Sequence, residues 1–143
     1  MGTKLGFLTL AAGAALAIST AAPAQAQSTA PTHPYGCACL NNNIGVPINF
    51  RYRWGDGEWK TTNLPTGMRS WMCYTYPPGT SVSPQLVFQL DVDMSSGQAW
   101  TTYNITRMQS PQQNCNSIPN GAQYDVRYRP GSNNSLIHVT KRE

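Results

Sequence analysis

The stretch Pro47-Ile48-Asn49-Phe50-Arg51-Tyr52-Arg53-Trp54-Gly55-Asp56-Gly57-Glu58 decides the fold. Ile48, Phe50, Tyr52 and Trp54 recur at every second position, with Asn49, Arg51 and Arg53 between them. Successive side chains of a strand point to opposite faces, so this spacing gives one aromatic face and one polar, basic face. Asp56-Gly57 then supplies the dipeptide best suited to a two-residue hairpin turn, whose corners need positive φ. The return strand is expected over 58–62. A turn centred on Asp56-Gly57 sets Trp54 opposite Trp59 and Arg53 opposite Lys60. Trp54 and Trp59 then share the core-facing side with Phe50 and Tyr52, and the Arg53–Lys60 pairing weakens the hairpin slightly.

The rest of the chain repeats the pattern. Residues 85–93 give the cleanest strand: Leu86, Phe88, Leu90 and Val92 point one way, Val87, Gln89, Asp91 and Asp93 the other. Further strands are expected over 69–76, 98–107, 124–129 and 136–141. The breaks between them are Pro65 and Gly67, Pro77-Pro78-Gly79, Ser95-Ser96-Gly97 and Pro130-Gly131-Ser132-Asn133-Asn134. No helical period occurs. Seven short strands with turn signals between them predict an all-β fold, a small disulfide-pinned β-sandwich of about seven antiparallel strands, with a small β-barrel as the alternative. Residues 110–121, rich in Asn, Gln, Pro and Ser, are expected to form a long loop.

The four cysteines are Cys37, Cys39, Cys73 and Cys115, an even count that suggests two disulfides in an exported chain. A Cys37–Cys39 bridge is disfavoured, because one intervening residue strains the Cα separation a disulfide prefers. The two remaining schemes both tie the start of the domain to its middle and its later part. In the chain-entropy model each bridge contributes roughly 3–4 kcal/mol.

Export is read from the N-terminus. Lys4 precedes an apolar run over residues 5–18, and Ala24-Gln25-Ala26 has the small-x-small form of a signal-peptidase site. The run is shorter than the roughly 20 residues a bilayer span needs. Residues 1–26 are therefore expected to be a cleaved secretory signal, 27–36 an extended Pro-rich leader, and 37–143 a single β domain, secreted or periplasmic. Loss of Lys4 leaves nine Lys and Arg against six Asp and Glu. That mild basic excess excludes a nucleic-acid-binding signature.

Several constellations could carry chemistry. Arg51, Arg53 and Lys60 form a basic face, and Arg127 and Arg129 join it if the terminal hairpin packs alongside. Mildly basic faces are also common as plain solvent-facing surface. Four Trp and seven Tyr could build an aromatic platform. Cross-strand aromatic pairing in the core accounts for most of them, which leaves Trp71 and Trp100 as the rings at the border of a site. His33 with Cys37 and Cys39, and Met68 and Met72 with Cys73, resemble soft-metal ligand groups. Disulfide formation consumes those thiols, so no metal or cofactor is expected. Asp91 and Asp93 lack a calcium-loop pattern and are expected to be solvated strand carboxylates. His33 and His138 stand beside no nucleophile motif, and no catalytic residue is expected.

The residues together lead to a non-enzymatic protein that binds or supports an envelope or extracellular component such as an anionic polymer or glycan, through Arg51, Arg53, Lys60, Arg127, Arg129, Trp71 and Trp100. Two other readings fit the same chain. One is a secreted inhibitor of a protease or lysozyme, acting through a 110–121 loop held taut by Cys115. The other is a purely structural domain.

Overall fold

The computed structural model describes residues 32–143, together with the isolated positions 2 and 13. Apart from those two positions, the signal read over 1–26, and residues 27–31 of the leader after it, lie outside the described residues. Nine strands form two sheets. They are β1 (Tyr35–Asn42), β2 (Ile48–Trp54), β3 (Lys60–Leu64), β4 (Arg69–Thr75), β5 (Leu86–Asp91), β6 (Trp100–Tyr103), β7 (Met108–Ser110), β8 (Gln123–Tyr128) and β9 (Ile137–Lys141). One sheet runs β4-β1-β8-β9 with β7 also on β1, and the other runs β3-β2-β5-β6. The fold is a small disulfide-pinned β-sandwich and not a closed barrel.

The alternation read in the sequence builds the core. Ile48 and Phe50 of β2, Leu64 of β3, and Leu86, Phe88 and Leu90 of β5 face Ala38 and Leu40 of β1, Met72 of β4, Tyr124 and Val126 of β8, and Ile137 of β9. Phe50 and Phe88 stack with ring centroids 5.7 Å apart, a geometry that adds to plain area burial.

Two features depart from the expected plan. Among the described residues there are nine strands and not about seven, and one pair is parallel: β1 meets β8 in register Cys39↔Gln123 to Asn42↔Val126. Two strands are missing from the sequence reading: the short β7, and β1, which opens inside the stretch assigned to the leader and lies at the centre of its sheet. Ala38 and Leu40 point into the sandwich, while Cys37 and Cys39 point the other way into a second buried cluster with Cys115, Ile118 and Ala122. A strand buried on both faces shows no polar alternation, so it leaves no period-2 signal.

Cys37 bridges to Cys73, its direct cross-strand partner on β4, and Cys39 bridges to Cys115 in the connection between β7 and β8. This is one of the two schemes that remain once Cys37–Cys39 is set aside. Asn42 closes one end of the sandwich. Its amide donates to the Leu64 carbonyl at 3.0 Å and the Val46 carbonyl at 2.9 Å, and its Oδ1 accepts the Ile44 N–H at 3.1 Å. That buried side chain therefore ties β1 to β3 of the opposite sheet, with its hydrogen-bonding capacity used.

Among the described residues four connections cross between the sheets, and two of them matter here: residues 76–85 after β4 and residues 104–107 after β6. They lie side by side and are joined by Arg107, whose Nε donates to Ser83 Oγ and whose Nη2 donates to the Ser83 carbonyl at 3.1 Å. Among the described residues, no helix is long and apolar enough to cross a membrane.

Candidate functional site

The β2–β3 turn controls what the outer face of the β3-β2-β5-β6 sheet presents. The positive φ falls on Gly55 (55°), and the turn is closed by Gly57 N–H donating to the Trp54 carbonyl at 3.0 Å. Gly55 and Asp56, rather than Asp56 and Gly57, are the corner residues. Past the turn the register is Tyr52↔Lys60 and Arg51↔Thr61, so Glu58 and Trp59 together oppose Arg53 and the return side carries one extra residue. This is one residue away from the pairing expected of an Asp-Gly turn, and a one-residue slip exchanges the faces of a strand.

Two corrections follow. Trp59 leaves the core side and lies on the face of Arg51 and Arg53. Lys60 comes opposite Tyr52, with its Nζ 5.7 Å from that ring's centroid, so Arg53 and Lys60 do not form a like-charge pair.

On that outer face the side chains fall in rows. Arg51 of β2 pairs with Gln89 of β5, which pairs with Thr102 of β6. Arg51 Nε donates to Gln89 Oε1 at 2.7 Å, and Gln89 Nε2 donates to Thr102 Oγ1 at 3.1 Å. The Arg51 guanidinium carbon lies 4.4 Å from the Trp59 ring centroid and 4.6 Å from that of Trp100. Trp59 reaches Arg51 from just before β3 on one side of β2, and Trp100 from β6, beyond β5 on the other, so Arg51 is held between the two indoles. Arg53 stacks on Trp59 as well, at 4.7 Å. Contacts this close attract a cation to the negative face of each ring, and the planar guanidinium stacks there better than an ammonium does.

These two arginines differ from Arg127 and Arg142 in how their charge is met. Among the described residues the ion pairs both involve Asp125, with Arg127 at 3.3 Å and Arg142 at 2.6 Å. Among the described residues, Arg51 and Arg53 have no carboxylate within pairing distance. Both are half-buried, and Arg53 Nε is buried without a hydrogen-bond partner. Partial burial weakens solvent screening, so the face carries an uncompensated positive field.

The remaining residues of the expected site lie elsewhere. Arg127 is on β8 of the other sheet and Arg129 just past its end, so the terminal hairpin does not pack beside β2. Trp71 is 49% exposed on the edge strand β4, opposite Cys39. The 110–121 segment is bound down rather than raised. Gln123 Nε2 donates to the carbonyls of Cys115 (2.6 Å) and Ile118 (3.0 Å), and both of those residues are buried. Asn114 Oδ1 accepts the Ser117 N–H at 2.9 Å and caps a 3₁₀ turn. All four cysteines are consumed in bridges.

Asp91 is a further correction. It is paired with Trp100 and fully buried, not solvated. Its Oδ1 accepts the Ala99 N–H at 2.9 Å, and its Oδ2 has no partner. Burial pushes its carboxyl above the ordinary 3.8, while a hydrogen bond from the Ser95 N–H holds exposed Asp93 below it.

An acid whose folded pKa is raised keeps more protons in the folded state than in the unfolded one. Its effect on stability therefore worsens as pH rises through the interval between the two values, and remains unfavourable above it. Asp91→Asn keeps an oxygen acceptor for Ala99 and carries no charge. The variant is expected to melt above the unsubstituted protein at pH 7, with the difference closing below pH 3.8. A lower melting temperature at both pH values contradicts this account.

No protein-family model matches the chain, and neither does any curated protein or solved structure. What the structure defines is a class: a disulfide-pinned β-sandwich with a cationic, aromatic face on its four-stranded sheet.

Proposed function

We propose that this is a secreted, non-enzymatic binding module that holds an acidic polysaccharide on the outer face of the β3-β2-β5-β6 sheet. The observation that carries the reading is the stack of Arg51 between Trp59 and Trp100, with Arg53 on the same indole and no carboxylate to neutralise either. A guanidinium fixed in place loses little side-chain entropy when it takes a carboxylate or sulfate in bidentate fashion. Around the two cations the face offers hydroxyls and amides, Thr61, Thr102 and Gln89, which suit sugar hydroxyls.

The secretory signal read over 1–26 and the two disulfides support export into an oxidising compartment.

The test is retention of the protein on immobilised polygalacturonate and on neutral dextran. Binding to the acidic polymer alone, falling steadily as salt is raised from low to physiological, is the expected result. Equal binding to both polymers, or none to either, overturns the reading.

A further inference from the structure

The outer face does not end at Arg53. Opposite Arg53 on β5 is Val87, and two residues further Gln85 takes the next place, its carbonyl accepting the Gly55 N–H at 2.7 Å. Beyond Tyr103, which pairs with Phe88, the chain continues alongside β5 through Asn104 and Thr106. There the connections over 76–85 and 104–107 frame a cavity of about 560 Å³, lined by Ser81, Ser83, Gln85, Asn104, Thr106 and Arg107 among others. Its wall is mostly hydroxyl and amide with one guanidinium. Arg107 is oriented by its two bonds to Ser83, and among the described residues no carboxylate pairs with it.

The rows thus run from Trp100 beside Asp91, through Arg51 with Gln89 and Arg53 with Val87, to this cavity at Gln85. Six residues of β5 separate the ends, about 20 Å at roughly 3.3 Å per residue. Three guanidiniums, those of Arg51, Arg53 and Arg107, line the path.

Resting on the reading of the face as a site for an acidic polysaccharide, we infer that the Ser83–Arg107 cavity is its terminal subsite. The ligand is then an extended acidic oligosaccharide of several sugar units, one sugar of which enters the cavity. A single small anion would need only Arg51. The continuous line of cations with hydroxyl and amide partners matches a chain that repeats both an acid group and free hydroxyls.

The experiment is calorimetric titration of the purified protein with oligogalacturonates of increasing length. Affinity is expected to rise with length until the oligomer spans about 20 Å, then to level off. Asn104→Trp places an indole in the cavity from an exposed position. It is expected to lower affinity for long oligomers about tenfold, the worth of one or two hydrogen bonds, and to leave that for the shortest binding oligomer unchanged. Gln85→Ala combined with Thr106→Ala removes the same contacts without added bulk, and serves if the larger side chain disturbs folding. Affinity that levels off at the shortest oligomer, or long-oligomer affinity unchanged in both variants, overturns the subsite while the face still binds. No binding of any oligomer by the unsubstituted protein overturns the face and the subsite together.

Discussion

Replacing Cys39 and Cys115 together by alanine is expected to cost about 4–5 kcal/mol of folding stability, from the chain entropy of a loop this long. The bridge closes a sequence separation of 76 residues, against 36 for Cys37–Cys73. It is also what fixes the connection between β7 and β8 to the face of β1 that points away from the sandwich. Cys39 is wholly buried there with Ile118 and Ala122, so the substitution adds a packing loss to the entropic one. Small domains have only about 5–15 kcal/mol in total. Urea unfolding of the double variant should therefore show a midpoint shifted far down, or a chain already unfolded at 37 °C. A loss below about 1 kcal/mol, far under the range for native bridges, would mean that the connection is held mainly by the Gln123 and Asn114 hydrogen bonds.

Arg51→Gln combined with Arg53→Gln is expected to lower affinity for polygalacturonate by about 100-fold or more. Charge-assisted hydrogen bonds contribute about 1.5–3 kcal/mol each, and two are removed. Arg51→Lys should fall between, because it keeps the charge but not the fork or the flat stack between Trp59 and Trp100. Arg127→Gln with Arg129→Gln, on the other sheet, is expected to change affinity less than about twofold, since distant exposed charges are largely screened. Thermal melts of the same variants separate lost binding from lost stability, because the stacking contacts themselves are worth about 0.5–2 kcal/mol. Equal losses in the two double variants would show that net charge, and not this face, holds the polymer.

The parts of this structure legible in the sequence are those where one face of a strand is buried and the other is not. Residues 48–54 and 85–93 announced themselves in that way, and they became β2 and β5 at the centre of their sheet. β1 did not, since Ala38 and Leu40 enter one buried cluster and Cys37 and Cys39 another, leaving no polar face to read. The β2–β3 register was misread for a local reason. Asp56-Gly57 satisfies the strongest hairpin signal, but Gly55 takes the positive φ, and an extra residue on the return side leaves the strands one residue from the expected register.

The candidate face suffered from that slip. Arg51 and Arg53 were visible from alternation alone, and Trp100 was among the rings set aside as non-core. The expected register puts Trp59 in the core and Lys60 on the basic face, whereas the structure puts Trp59 on the arginine face and Lys60, exposed, beside Tyr52. Gln89 was on the correct side of its strand. Its bond to Arg51 depended on β2 and β5 being neighbours, which no local pattern states. Arg127 and Arg129 sit in a strand much like β2 in sequence, but β8 pairs with β1, a non-local choice made by the sandwich as a whole.

The most direct test of the central claim is a proton–nitrogen correlation spectrum of the labelled protein, recorded as polygalacturonate oligomers are added. The Nε–H signal of Arg51 and the indole N–H signals of Trp59 and Trp100 should move together and saturate, with Gln89 and Thr102 amides following. Shifts confined to Trp71 or to β8 and β9, or a spectrum that does not change, would contradict the assignment of binding to this face.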